Sequence, residues 1–143
     1  MTCSRCTSAV ISFAIPAEYQ RVLPEDESEP SENPVVGTLC TSCLTLETVS
    51  ETHLRPEQLE RPDFSAVSTA FPRDVDAGVP LALALGLSDS LALNRSAIET
   101  LLEAVERAGT DPLLVIDRLL VDPTVDPAID LERRRHQLEQ LFG

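Results

Sequence analysis

All four cysteines of this 143-residue chain lie in two Cys-x-x-Cys pairs, and 33 residues separate the pairs. A turn with two residues between its cysteines can present both sulfurs to one ion, and two such turns complete the tetrahedron that Zn²⁺ prefers. Doubling the length of a loop costs only about 0.6 kcal/mol, whereas structural zinc contributes roughly 10–16 kcal/mol in small domains. The pattern therefore predicts a structural zinc ribbon whose ligands are Cys3, Cys6, Cys40 and Cys43.

Other uses of the cysteines are less well supported. Disulfides need an oxidising compartment, and no signal peptide is visible, because a cysteine pair and then Pro16 interrupt the first residues. A redox Cys-x-x-Cys sits at the N-terminus of a helix, whereas strand-like sequence follows both pairs. His53 could replace one cysteine as a ligand, but four cysteines suffice and we expect His53 to lie in a linker. Four thiolates leave no open coordination position, so the zinc would be structural and not catalytic.

The residue that follows each cysteine pair is unusual. That position favours a positive φ angle and is therefore commonly Gly, but here it is Thr7 after the first pair and Leu44 after the second. Both residues are predicted to be strained into the left-handed region, and the strain is expected to weaken metal binding.

The chain is strongly acidic, with 24 Asp and Glu against 11 basic residues, all of them Arg, and a net charge of −13. At about 1 M salt the Debye length is roughly 3 Å, so repulsion among carboxylates is screened. A GC-rich genome would explain the missing Lys but not the excess of acids. We therefore expect a halophilic source, and both halves lack the basic footprint that nucleic-acid binding requires.

Strand and loop signals fill the first part of the chain. Residues 8–15 and 44–50 are predicted strands, 17–23 form a short helix or turn, and 24–34 form an acidic, Pro-rich loop. The expected division is a zinc ribbon at 1–50, a linker at 51–62 and a helical domain at 63–143.

Helical periodicity begins at residue 63. Asp63 is a predicted cap of a short helix that ends at Pro72, and the apolar stretch 79–93 is a predicted helix with Pro80 in its first turn. Leucines at alternate positions also fit a strand there, but the stretch is long for one. A helix that is apolar nearly all round is either central and buried or an oligomer contact.

Capping signals predict three further helices. Asn94 would open one that ends before Gly109, and Asp111-Pro112 would open the next. Asp126-Pro127 would open the last helix, with Leu131, Leu138 and Leu141 facing inward. The fold class is thus α+β: an N-terminal zinc ribbon of short antiparallel strands with a C-terminal bundle of three to four α-helices.

Several stretches carry a resemblance to a known family. The two cysteine turns, together with DFSAVSTAFP at 63–72, the stretch 86–119 and DLERRRHQLEQL at 130–141, resemble an uncharacterised haloarchaeal family of small zinc-ribbon proteins, a domain of unknown function. The resemblance covers nearly the whole chain. It implies zinc on the four cysteines and a salt-loving archaeal host, but no activity. The family's first turn usually reads C-P-x-C-G, from which Ser4 and Thr7 depart.

These features favour a non-enzymatic protein–protein interaction or adaptor module in a halophilic cytoplasm. Only two histidines and no Gly-rich phosphate loop are present, so no catalytic residue and no cofactor beyond zinc is predicted. The longest apolar run, Val79 to Leu87, is too short to span a membrane. Self-association through 79–93 is one candidate contact, and the runner-up functions are a transcription-associated or nucleic-acid-binding ribbon and a zinc or thiol redox sensor.

The densest basic patch lies at 132–140. Arg133 and Arg134 are the candidate partner contacts within it. The alternative is a solvated helix face with ion pairs at i,i+4 spacing, namely Asp130–Arg134, Glu132–His136 and Arg135–Glu139.

Overall fold

The structure is a computed structural model that describes residues 2–21, 36–49, 59 and 62–142. Three strands form one antiparallel sheet in the order β1-β2-β3: β1 Val10–Ala14, β2 Val36–Cys40 and β3 Leu46–Val49. The α-helices that follow the chain order are α1 Ala17–Gln20, α2 Val75–Leu87, α3 Leu91–Arg107, α4 Pro112–Leu120 and α5 Leu131–Phe142. The predicted α+β class is confirmed.

The sheet keeps the predicted strands in the expected antiparallel arrangement. Val10 pairs with Cys40 across β1 and β2, and Leu39 pairs with Leu46 across β2 and β3. The predicted acidic loop at 24–34, and His53 in the predicted linker, lie outside the described residues. Leu59, the one described residue between 50 and 61, is buried.

The sheet and the helices share one hydrophobic core. β1 turns Ile11 and Phe13 inward, and the Phe13 ring lies 5.7 Å from that of Phe64 in the 3-10 turn Phe64–Ala66. Phe64 in turn stacks on Phe71 at 5.1 Å. As predicted, Asp63 provides the cap, by accepting a hydrogen bond from the Ser65 amide. The predicted helix to Pro72 was wrong, because the 3-10 turn ends at Ala66. A chain of aromatic rings therefore joins the sheet to the helical part.

α2 is the central helix, with ten of its thirteen residues buried. It begins four residues before the predicted start, because the Asp74 carboxylate caps it by accepting from the Asp76 amide at 3.0 Å. The prediction for 79–93 was thus wrong at both ends: Pro80 lies inside the helix, and a 3-10 turn at Ser88–Ser90 separates α2 from α3. Of the two roles considered for this stretch, the structure gives it the central, buried one.

α3 also begins earlier than predicted. Asn94 does not cap it: its side-chain amide donates to the carbonyl oxygen of Leu87 at 3.2 Å, at the end of α2. The predicted stop at Gly109 is confirmed. Gly109 has φ +92°, and its amide and that of Thr110 donate back to Glu106 and Val105, which closes the helix.

The two Asp-Pro signals have different outcomes. Asp111 caps α4 as predicted, by accepting from the amides of Leu113 and Leu114. The predicted start at Asp126-Pro127 was wrong, because α5 begins at Leu131 and Asp130 accepts from the Arg133 amide. Leu131 and Leu138 face inward as expected, whereas Leu141 is 38% exposed.

The stretch Val75–Arg107 is long and apolar enough to cross a membrane by length and composition alone. In the fold, 67% of its most apolar window is buried inside the protein. The stretch, which comprises α2, the 3-10 turn and α3, is therefore largely part of the core of the fold.

Candidate metal centre

Strand pairing brings the two cysteine turns together. The first turn precedes β1 and is closed by the Thr7 amide donating to the Cys3 carbonyl at 3.0 Å. The second turn joins β2 to β3 and is closed by the Cys40 amide donating to the Thr45 carbonyl. Because Val10 and Cys40 are register partners, the two turns lie at the same end of the sheet.

The four thiols converge on one point. Their Sγ atoms all lie within 4.8 Å of one another, with Cys3–Cys43 at 3.6 Å and Cys6–Cys40 at 3.4 Å. A tetrahedral zinc site with Zn–S bonds near 2.3 Å separates its sulfurs by about 3.8 Å. A disulfide needs an S–S distance near 2.05 Å, and all four cysteines are free. The cluster therefore matches the size of a Cys₄ metal shell.

The surroundings of the sulfurs suit thiolate ligands. Three backbone amides point at them from 3.4 Å: Arg5 at Cys3, and Ser42 and Cys43 at Cys40. Such donors favour the charged form of a thiol that they contact. The four soft donors are the set that zinc takes in structural sites, and three of the four cysteines are buried.

The pKa values of two thiols are shifted in opposite directions. Hydrogen bonds from Ser8, first through its side chain and then through its backbone, lower the pKa of Cys6 to about 6. Burial raises the pKa of Cys40 to about 12, against hydrogen bonds from the Cys43 and Ser42 amides. Of these two thiols, the exposed Cys6 therefore ionises more readily than the buried Cys40.

The predicted strain after each cysteine pair is present. Thr7 has φ 63° and Leu44 has φ 60°, and they are the two non-Gly residues with positive φ in the described part of the chain. Thr7 is exposed, and its hydroxyl donates to the Cys6 carbonyl at 2.6 Å. Leu44 is buried in the main core. Both turns therefore have the backbone geometry of a metal-binding turn, although neither has Gly, the residue that adopts this geometry most easily.

A family model matches residues 2–142, and its description reads "Family of unknown function (DUF6276)". The chain belongs to this family. The match spans the cysteine cluster and the helices together. No curated protein and no solved structure matches the chain.

The sequence of this family member did not indicate one contact of the second cysteine turn. The segment between α4 and α5 lies on the second cysteine turn, where the Asp126 amide donates to the Ser42 carbonyl at 2.8 Å and the Ala128 amide to the Cys43 carbonyl at 2.9 Å. The Asp-Pro signal at 126 pointed to a helix start and gave no indication of this contact.

A cleft of about 230 Å³ adjoins the second turn. Its walls are the turn and β3, the C-terminal end of α2, and residues 128–131. Apolar side chains such as Leu46 and Leu131 line the interior, and Arg5, Glu47 and Asp89 carry the charges.

The predicted partner contacts, Arg133 and Arg134, lie on α5, outside the two cysteine turns. Arg133 is exposed, whereas Arg134 donates to the Gln137 side chain at 2.9 Å and to the Asp89 carbonyl at 3.3 Å. Arg134 therefore joins α5 to the 3-10 turn after α2, and Arg133 is the more accessible of the two.

Arg135 makes both salt bridges of the described residues. One is the predicted pair with Glu139. The other joins α5 to Asp117 on α4, with Nε–Oδ1 at 2.8 Å and Nη2–Oδ2 at 3.1 Å, and was not predicted. The hydrogen bonds from Arg135 to Asp117 are the main cause that raises the pKa of the guanidinium. The pairs Asp130–Arg134 and Glu132–His136 are not formed, and the His136 ring instead contacts the Gln140 side chain.

Proposed function

We propose that this protein is a non-enzymatic zinc-ribbon protein that acts as an interaction or adaptor module in a salt-rich haloarchaeal cytoplasm. The observation that carries the proposal is that the sulfur atoms of four cysteines converge within the dimensions of one tetrahedral metal shell. A shell of four thiolates uses every position of a tetrahedral zinc ion, so the ion would stabilise the fold and leave no site for a substrate.

The adaptor role is supported by what stays outside the core. Leu93 is 88% exposed and Val121 80% exposed, and among the described residues they are the large apolar side chains most open to a partner. Because α2 is buried within one chain, the exposed apolar residues of the candidate self-association contact at 79–93 are Ala92 and Leu93 at its end. Arg133 adds an exposed charge at which an acidic group of a partner could bind.

The saline setting is supported by how the charges are arranged. Arg135 makes both salt bridges in the described part of the chain, while most acidic side chains there are exposed. Carboxylates that repel one another without pairing are tolerated best where salt screens them.

Metal content tests the first half of the proposal. Native mass spectrometry and elemental analysis of protein purified in molar KCl should find one zinc per chain in the wild type and none in Cys40→Ser. Ser4→Ala is the matched control, because Ser4 lies in the first turn without being a ligand. Reversible disulfides in place of a metal would support the redox alternative and refute the zinc ribbon.

Capture of partners in molar KCl tests the second half. The adaptor role predicts partners that bind the wild type and are lost from Leu93→Ser or Arg133→Ser. A monomer that retains no partner under these conditions, or partners that ignore both substitutions, would contradict it.

A further inference from the structure

The α4–α5 connection is attached to the second cysteine turn by main-chain atoms. Both acceptors, the carbonyls of Ser42 and Cys43, lie inside the Cys-x-x-Cys turn, and both donors, the amides of Asp126 and Ala128, lie in the connection. Side-chain chemistry plays no part in these two bonds. Their geometry therefore depends on how the turn itself is held.

The direction of the Cys43 carbonyl depends on a strained residue. Leu44 has φ 60°, a conformation that L-residues with a side chain disfavour. The peptide unit between Cys43 and Leu44 carries both the Cys43 carbonyl and the amide whose torsion is strained. If Leu44 relaxes to a negative φ, this peptide unit rotates and its carbonyl turns away from the Ala128 amide.

A metal ion opposes this relaxation. When Cys40 and Cys43 bind the same ion, both ends of the turn are fixed. The ion then adds to the Cys40–Thr45 main-chain bond, to the two amide–sulfur contacts at Cys40 and to the burial of the Leu44 side chain in the core. Without the ion, the thiols lose the shared centre that holds the turn closed.

Two buried residues limit the displacement to the middle of the α4–α5 connection. Val125 and Leu131, on either side of the bonded stretch, are buried in the main core, so they keep the ends of the connection in place. The residues between them include Ala128 and Ile129, which line the cleft next to the second turn.

We propose that metal occupancy of the Cys₄ centre controls the position of residues 126–129 and, through them, the shape of this cleft. The inference rests on the proposed metal binding. Because coupling between two sites is reciprocal, docking of the connection must also strengthen metal binding.

Amide hydrogen exchange on the full chain in molar KCl tests the first direction. When a chelator removes the metal, the amides of Asp126 and Ala128 should exchange at least tenfold faster, while the Val115 amide in α4 and the Arg134 amide in α5 should keep their rates. These two control amides are bonded within their own helix starts, to Asp111 and Asp130.

The outcomes separate the two proposals. Unchanged rates at 126 and 128, with metal content falling from one to zero, would overturn the coupling and leave the zinc ribbon standing. A chain that never binds metal but protects both amides would overturn both. If the two control amides also lose their protection against exchange, removal of the metal unfolds the protein generally, which would refute a local effect on residues 126–129.

A variant that keeps its metal tests the reverse direction. Ala128→Pro removes the amide donor to Cys43, and competition with a chromophoric chelator should show zinc affinity reduced about threefold to tenfold. Pro127→Ala, which keeps both donors, should stay within twofold of the wild type. Equal affinities for Ala128→Pro and the wild type would refute the coupling even if the metal-free protein proves too unstable for exchange measurements.

Discussion

For the substitution Gly86→Ala, helix propensity and tertiary packing predict changes in stability of opposite sign. It lies near the C-terminal end of α2, and Ala is more favourable than Gly inside a helix by about 1 kcal/mol. On propensity alone, Gly86→Ala should stabilise the protein. The structure predicts a loss of stability instead.

The reason is the close approach of α2 to β3. A Cβ atom on residue 86 would overlap the Cβ of Leu46 and would lie 2.5 Å from its Cδ2 and 2.9 Å from its Cγ, whereas carbon atoms in ordinary contact stay about 3.5–4.0 Å apart. Rotation of the Leu46 side chain cannot move its Cβ, which is fixed to a strand paired with β2. α2 is buried along most of its length and cannot retreat either.

The expected change in the free energy of unfolding combines the cost of overpacking with the gain in helix propensity. Overpacking of a core costs about 1–3 kcal/mol and occasionally more, and the upper end applies here because the obstacle is next to the main chain. Subtracting the gain of about 1 kcal/mol in helix propensity leaves a net loss of about 2 kcal/mol in the free energy of unfolding.

Guanidinium denaturation at fixed salt and metal should show a lower midpoint for Gly86→Ala with an unchanged m-value. The cost of Gly86→Ala should be smaller when it is measured in a Leu46→Gly background. A Leu46→Ala background should keep most of the cost, because Ala retains the overlapping Cβ. Gly109→Ala is a control for backbone strain without a clash, since nothing lies within 4 Å of the added Cβ and φ is +92°. A Gly86→Ala protein as stable as the wild type would refute the packing argument.

Two further substitutions test single interactions. Ser68, which is 5% exposed, donates to the Asp122 carboxylate at 2.6 Å, and this bond is the main cause that lowers the pKa of Asp122 below its ordinary 3.8. Ser68→Ala should therefore raise the pKa of Asp122 in an NMR titration. A carboxyl group whose pKa is lowered by folding stabilises the fold at pH values above its ordinary pKa, and this stabilisation is lost as the pH falls through the lowered pKa. The stabilities of the wild type and the variant should therefore converge in acid. An Asp122 pKa that does not change in the variant would contradict the assignment. Asp111→Ala removes the cap of α4 and should cost about 1 kcal/mol in thermal unfolding, whereas Asp111→Asn, which keeps an acceptor, should cost clearly less; equal losses would argue against capping.

The cysteine cluster could be predicted from the sequence because its signal is local. Two residues between cysteines fix the shape of each turn, and the positions of Thr7 and Leu44 within those turns predicted the positive φ angles that the structure has. Pairing the two turns needed only one antiparallel sheet, which the strand patterns on either side of them indicated.

Helix boundaries were harder to predict where distant contacts compete with local signals. Asp111-Pro112 and Asp126-Pro127 carry the same capping signal, yet only the first opens a helix. The amides of Asp126 and Ala128 bond to the second cysteine turn, more than 80 residues earlier in the sequence. Asp130 then provides the cap for α5, a choice that no local pattern distinguishes.

The same contacts explain why the ribbon and the helices occur as one family unit. A sheet of three short strands is stable only when its apolar face is covered, and here Ile11 and Phe13 are covered by the helical part. Cys3, Cys40 and Cys43 form only a small separate cluster with Val10. A metal ion would therefore hold the tip of the sheet while the helices cover its face, and the contact between 126–128 and the second turn joins the two sources of stability. Under the proposed coupling, loss of either one would weaken the other.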